Sequence, residues 1–279
     1  MFWRNKFSCW RGFLRQSSFV FLFFVIIVCP VRAEETKWLN EKGEHFVVYF
    51  QSRENTFWIK DVLRSADRYY DSIAALMGYA RYQDFWSWDE RVKIIIYDSQ
   101  EIFLKVTGQP EWSKGGALRD KYFLKSRVIV TFKQEEEFLT GVLPHEISHL
   151  MLQDYIGNDK SIPIWFNEGM AQLQEKERPE ISDHVMRSLI RQNFYIPLNL
   201  LFTSDIRFQT DERHVLMFYA ESVSLLDFLI KKYGHTPFRD FCQKLREGKD
   251  FEKALLSAYN ISFDSLEDLE KKWLRYMQN

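Results

Sequence analysis

Two histidines separated by three residues, in His145-Glu146-Ile147-Ser148-His149, constrain this chain more than any other stretch of it. On a helix the pair lies on one face, one turn apart, so both imidazoles can share a single metal ion. Glu146, beside the first histidine, then falls within reach of a water on that ion. A second acidic residue, Glu168 in Trp165-Phe166-Asn167-Glu168-Gly169, follows after eighteen intervening residues. That is enough for the chain to leave one helix, turn and run back beside it. Two histidines and one carboxylate form the ligand set of a catalytic zinc site with its fourth position left to water. The spacing predicts one Zn2+ per chain, held by His145, His149 and Glu168, with Glu146 as the general base.

The bland alternative is a solvated helix that happens to carry two surface histidines. The flanks argue against it. Leu143, Ile147, Leu150, Met151 and Leu152 make this helix apolar on most sides, which predicts a core helix. Polar side chains buried there without partners would cost free energy, and a shared metal supplies the partner.

With these motifs in place, the chain resembles the gluzincin metallopeptidases, and among them the small proteins with a peptidase MA-like domain. Trp165-Phe166-Asn167-Glu168-Gly169-Met170-Ala171 is similar to that family's W-x-N-E-G-x-A signature. Trp112-Ser113-Lys114-Gly115-Gly116-Ala117 and the strand-like Arg127-Val128-Ile129-Val130-Thr131 resemble the segment ahead of its H-E-x-x-H helix. Phe218-Tyr219-Ala220-Glu221-Ser222 resembles its tyrosine-bearing helix, and Leu266 to Tyr276, with Trp273, its closing helix. The resemblance implies a zincin-like α+β fold and a zinc-dependent hydrolase acting on peptide bonds. It also implies a tyrosine, here Tyr219, that faces the metal and donates to the oxyanion. A core tyrosine is the competing reading, and His214 is the competing donor. Many members carry an acid where this chain has Gln172, which is expected here to orient a zinc-bound histidine.

The first 33 residues read as an export signal rather than as fold. Arg4, Lys6, Arg11 and Arg15 form a basic leader, Phe19 to Val28 is an unbroken apolar run, and Val31-Arg32-Ala33 offers a cleavage site. The run falls short of the ~18 residues a spanning helix needs. Retention as an N-terminal membrane anchor is the alternative. The expected location is periplasmic or extracellular. Without residues 1–33 the formal net charge moves from −1 to −6, because five basic and no acidic residues are lost. An acidic chain without basic clusters is not expected to bind nucleic acid; the expected partner is a peptide or protein substrate. Cys242 is the one cysteine left in residues 34–279, so no internal disulfide can form there, and the core must supply the stability.

Residues 34–135 read as strand-rich and 136–279 as helical, in one domain with the metal at the junction. Strands are predicted at His45–Phe50, Arg91–Tyr97 and Val128–Phe132 from β-branched and aromatic runs. A helix is predicted over Glu54–Met77 and a short one over Ile102–Val106. The active-site helix is predicted over Glu136–Tyr155, with Pro144 either kinking it or marking its start. The Glu168 helix is expected to begin near Pro163, capped by Ser161 or Asp159, and to run to about Glu177. Further helices are expected at Ile181–Gln192, Arg213–Tyr233, Phe238–Glu247, Asp250–Ala258 and Ser265–Met277. Gly115-Gly116 reads either as a strand edge open to a substrate backbone or as a plain turn. Two rivals stand beside a peptidase. One is a zinc amidase acting on cell-wall peptides; the other is a silent binding or scaffold protein, whose expected signature is the loss of Glu146 or of a ligand.

Overall fold

The apolar run of residues 94–97 sits where such runs belong, in the middle of a sheet covered on both faces. A computed structural model describes residues 38–279 except 53–55, 80–85, 87–89, 112, 120–126, 134–136, 158–161 and 207–210. Five strands form one mixed sheet in the order β1-β2-β3-β5-β4. They are β1 (Leu39–Lys42), β2 (Phe46–Phe50), β3 (Val92–Tyr97), β4 (Gly115–Arg119) and β5 (Arg127–Phe132). β2, β3 and β5 run parallel, while β1 and β4 pair antiparallel at the two edges. Alternation divides the sheet between two apolar clusters. Phe46, Val48, Ile94, Ile96 and Ile129 enter the main core. Tyr97 and Val130, with Ile95 and Val128, meet Phe103 of α2 (Gln100–Thr107) on the opposite face.

The parallel crossover from β2 to β3 is made by α1 (Thr56–Met77). Its periodic residues Ile59, Val62, Ala66, Tyr70, Ile73 and Met77 are buried. After β5 the chain is helical. A π-helical turn, Phe138–Val142, leads into α3 (Leu143–Ile156), and α4 (Ile164–Gln172) and α5 (Arg178–Arg191) follow. The remaining helices are α6 (Leu198–Leu201), α7 (Glu212–Tyr233), α8 (His235–Arg246), α9 (Phe251–Ala258) and α10 (Leu266–Gln278). The class is the expected α+β, with a small mixed sheet followed by a helical half. Residues Lys37–Asn279 form one compact unit. The high aromatic content serves that core, where Trp165, Trp273, Phe166, Phe218, Phe238 and Phe241 are all fully enclosed. Among the described residues no helix is long and apolar enough to cross a membrane.

Several expectations are corrected. β1 was not foreseen, because Leu-Asn-Glu-Lys is a polar edge strand that only its pairing with β2 defines. Gly115-Gly116 opens strand β4 and is not a plain turn. Pro144 does not kink the active-site helix; it stands at the start of α3, after the π-turn. The Glu168 helix ends at Gln172, five residues before the expected Glu177. Residues 1–33, Trp112, Asp159 and Ser161 lie outside the described residues, and the cap position of α4 is held by Pro163.

The premature end of α4 and the π-turn share one cause. Pro144 has no N–H, so it cannot serve the carbonyl four residues back, Thr140, or the one five back, Leu139. Both carbonyls are met from outside. The Tyr69 hydroxyl of α1 donates to the Leu139 carbonyl at 2.9 Å, and the Lys176 amide donates to the Thr140 carbonyl at 2.9 Å. Lys176 N–H is thereby drawn away from continuing α4. The chain tightens into i→i+3 bonds at Gln174 and Glu175 and reverses at Glu177, whose φ is +65°.

A buried acid secures the other side of the helical half. Glu221 of α7 is fully enclosed and accepts a hydrogen bond from the Ile196 amide at 2.9 Å, while Glu270 of α10 accepts from the Leu198 amide at 2.6 Å. Burial, reinforced by the charge of Glu270 and only partly offset by the Ile196 amide, pushes the Glu221 carboxyl up to about 8. Its folded pKa exceeds the unfolded value, so its contribution to stability is complete below about pH 4.5 and is lost as pH rises through about 8. Glu221→Gln keeps an acceptor for Ile196 and removes this titration. Thermal melts across pH should show the variant gaining on the wild type from about pH 4.5 to 8, with a constant margin above. A margin that does not grow with pH would mean that Glu221 is ionised in the fold.

Candidate metal centre

α3 is buried nearly all round, through Leu143, Ile147, Leu150, Met151, Leu152 and Tyr155. The side chains of His145, Glu146 and His149 occupy its one half-open stripe. α4 runs alongside and turns Glu168 toward that stripe. The Nε2 atoms of His145 and His149 stand 3.0 Å apart. The Glu168 carboxylate lies 4.0 Å from the first and 3.8 Å from the second. All three ligand atoms fall within 4.8 Å of one another.

Each histidine is oriented through its other nitrogen. His145 Nδ1–H donates to Glu175 Oε1 at 2.8 Å, and His149 Nδ1–H donates to Asn167 Oδ1 at 3.0 Å. These bonds fix the tautomers and leave both Nε2 atoms aimed at the shared space. Tetrahedral ligands at ~2.0–2.1 Å from a zinc ion would stand roughly 3.3 Å apart, the same order as the 3.0, 3.8 and 4.0 Å separations found here. The donor set fits zinc.

The electrostatics point the same way. Burial pulls the His145 imidazole down, but the Glu175 hydrogen bond and the charges of Glu146, Glu168 and Glu175 prevail, and it stands above its usual value. Burial and the neighbouring His145 hold His149 below its own. Burial raises Glu168, with Glu175 adding to it and His145 opposing it. Two imidazoles and two carboxylates crowded into a half-buried space are a site in want of a cation.

Tyr219 of α7 is half-buried against the core, and its phenol is raised by burial and then by the charge of Glu168. The charge of Glu168 is thus felt at this face of α7. His214 lies five residues earlier, about 140° around the helix and ~7.5 Å along it, so the two cannot share one stripe. Glu146 lines an open cleft of ≈270 Å³ beside His145, bounded by Gly115, Val142 and Glu175. Gly115, at the start of edge strand β4, leaves room for the π-turn, since a Cβ there would stand 2.7 Å from Val142 Cγ1. His45 stacks on Tyr70 with ring centroids 3.7 Å apart, and His184 and His235 are exposed.

Gln172 does not orient a histidine. It is buried, and its Oε1 has no hydrogen-bond partner; Glu175 makes the contact instead. Glu175 falls inside the longer α4 expected from sequence, where it carries no role of its own. Its one available signal was a carboxylate two helical turns past Glu168.

A family model described as Peptidase MA superfamily matches residues 85–279, from just before β3 to the end of α10. The chain belongs to the Peptidase MA superfamily. Comparison with curated proteins returns no match. The Peptidase MA domain here is zincin-like and metallopeptidase-like, and the residues ahead of the match, β1, β2 and α1, complete its sheet and brace its π-turn.

Gly169 closes the geometry. A Cβ there would stand 2.8 Å from Leu226 Cδ1 and 2.9 Å from the Ser222 carbonyl of α7. Only glycine lets α4 approach α7 so closely, one turn after Tyr219 on that helix. Gly169→Ala should destabilise the protein by about 1–3 kcal/mol through overpacking, measured by denaturant unfolding. An unchanged midpoint would mean that the α4–α7 contact is slack.

Proposed function

We propose that this Peptidase MA protein is an exported zinc-dependent metallopeptidase. The observation that carries the reading is the convergence of His145, His149 and Glu168 beside a cleft that Glu146 lines, with Tyr219 close to Glu168. All the groups such chemistry needs are present, which favours an enzyme over a silent scaffold of the same fold. Export rests on the basic leader and apolar run of residues 1–33, with periplasmic or extracellular action, or attachment through an uncleaved leader, following from it.

His145, His149 and Glu168 hold the zinc, which when bound supplies Lewis acidity and lowers the pKa of water toward ~7. Asn167 and Glu175 keep the two imidazoles in the required tautomer. Glu146 takes the proton of the attacking water and delivers it to the leaving amine, acting first as general base and then as general acid. Tyr219 donates its hydroxyl hydrogen to the oxygen that gains charge. β4 is the last strand of its sheet, and its outer edge offers backbone N–H and C=O groups to an extended substrate. The same centre would serve a cell-wall amidase, and a casein library set against purified cell wall separates the two.

Protein purified without chelator should carry about one zinc per chain. Glu146→Gln should keep that zinc and lose ~100- to 10,000-fold in kcat. Absence of zinc in the wild type, or native turnover by the variant, would overturn the reading.

Tyr219→Phe removes one hydroxyl and little volume. Kinetics should show kcat lowered ~100- to 1,000-fold with KM nearly unchanged and zinc retained. An intact kcat would make Tyr219 a packing residue; His214→Ala then checks His214, and intact kcat in both variants would leave Glu146 as the one catalytic side chain.

A further inference from the structure

Glu175 touches His145 yet takes no chemical step in the proposed mechanism, and several contacts fix its place. Lys176 N–H, bonded to the Thr140 carbonyl at 2.9 Å, pins the turn that carries Glu175 against the π-turn just ahead of His145. The reversal at Glu177, at φ +65°, is a conformation that L residues seldom adopt. It brings Arg178, at the start of α5, back beside Glu175, where Arg178 Nε stands 3.2 Å from Glu175 Oε2. Glu175 Oε1 faces His145 Nδ1 at 2.8 Å. One carboxylate thus joins the imidazole of α3 to the guanidinium of α5. Its side chain is 17% exposed, against 42% for Arg178. His149, by contrast, is held by the neutral amide of Asn167 from within α4.

We propose that Glu175, held in place by Arg178, is the positioning residue that makes His145 the stronger metal donor of the pair, in the role expected of position 172. A carboxylate acceptor on Nδ1 increases the basicity of the opposite nitrogen more than an amide does. The two histidines are therefore unequal: His145 is electrostatically anchored through α5, and His149 is oriented only. Gln172, buried with an unpartnered Oε1, contributes no such anchor. The proposal rests on the metal-centre reading, and the experiment separates the two.

Zinc affinity is measured by competition with a chromogenic chelator for the wild type, Glu175→Gln, Arg178→Met and Arg178→Lys, beside thermal melts of each metal-free protein. Glu175→Gln keeps the shape and loses the charge. It should weaken zinc binding ~10- to 100-fold with the metal-free melting temperature unchanged. Arg178→Met should weaken binding about 2- to 5-fold, the scale of a half-exposed ion pair, and Arg178→Lys should restore most of that loss. A wild type that binds no zinc overturns the metal centre and this proposal together. A wild type that binds zinc while Glu175→Gln binds it within twofold overturns this proposal alone. A metal-free Glu175→Gln that melts well below the wild type would make Glu175 a structural residue and overturn it as well.

Discussion

The approach of α4 to its neighbours is the constraint on which the rest of the site depends. α4 delivers Glu168 to the histidines of α3 on one side and meets α7 on the other, and Gly169 is the residue that allows the second contact. A methyl group at that position would collide with a backbone carbonyl, which cannot move aside as a flexible side chain can. The N-E-G triplet therefore has three physical jobs in three successive residues. Asn167 orients His149, Glu168 faces the metal space, and Gly169 sets the distance to the helix that carries Tyr219.

A second constraint comes from the missing amide hydrogen of Pro144. Two carbonyls lose their helical donor, and buried carbonyls must find another. Tyr69 and Lys176 supply it, one from the helix beneath the sheet and one from the turn beyond α4. The local defect thus connects three separate stretches of chain at the foot of the active-site helix. The widened turn, packed over Gly115 of the edge strand, forms one wall of the cleft in which Glu146 sits. π-turns recur beside functional sites, and here the reason is the proline at the mouth of the H-E-x-x-H helix.

Three carboxylates elsewhere take donors from distant segments in the same way. Asp154, near the far end of α3, receives the indole N–H of Trp86 at 2.6 Å and the guanidinium of Arg127, which fastens β5 to the helix. Glu221 and Glu270 take the amides of the connector between α5 and α6. The candidate metal centre differs from these in having two imidazole nitrogens and a carboxylate turned toward one another, a group that could hold a metal ion.

The local code determined what could be read from short spacings. The i, i+4 histidines, Glu146 and Glu168 came from sequence, as did the α+β order, the three central strands and most helices, because periodicity and ligand spacing are properties of a few consecutive residues. Contacts between distant segments decided the rest. β1 is a strand only because β2 pairs with it, and Gly115-Gly116 is an edge only because β5 lies alongside. Gln172 looked like the orienting residue because a continuous helix would place it one turn past Glu168. Yet the Thr140 carbonyl, some thirty residues away, captured Lys176, ended the helix and put Glu175 on His145 instead. Sequence alone names the atoms able to hold a metal. Which acid steadies them depends on where an orphaned carbonyl finds its hydrogen, and that is settled only when the chain has closed upon itself.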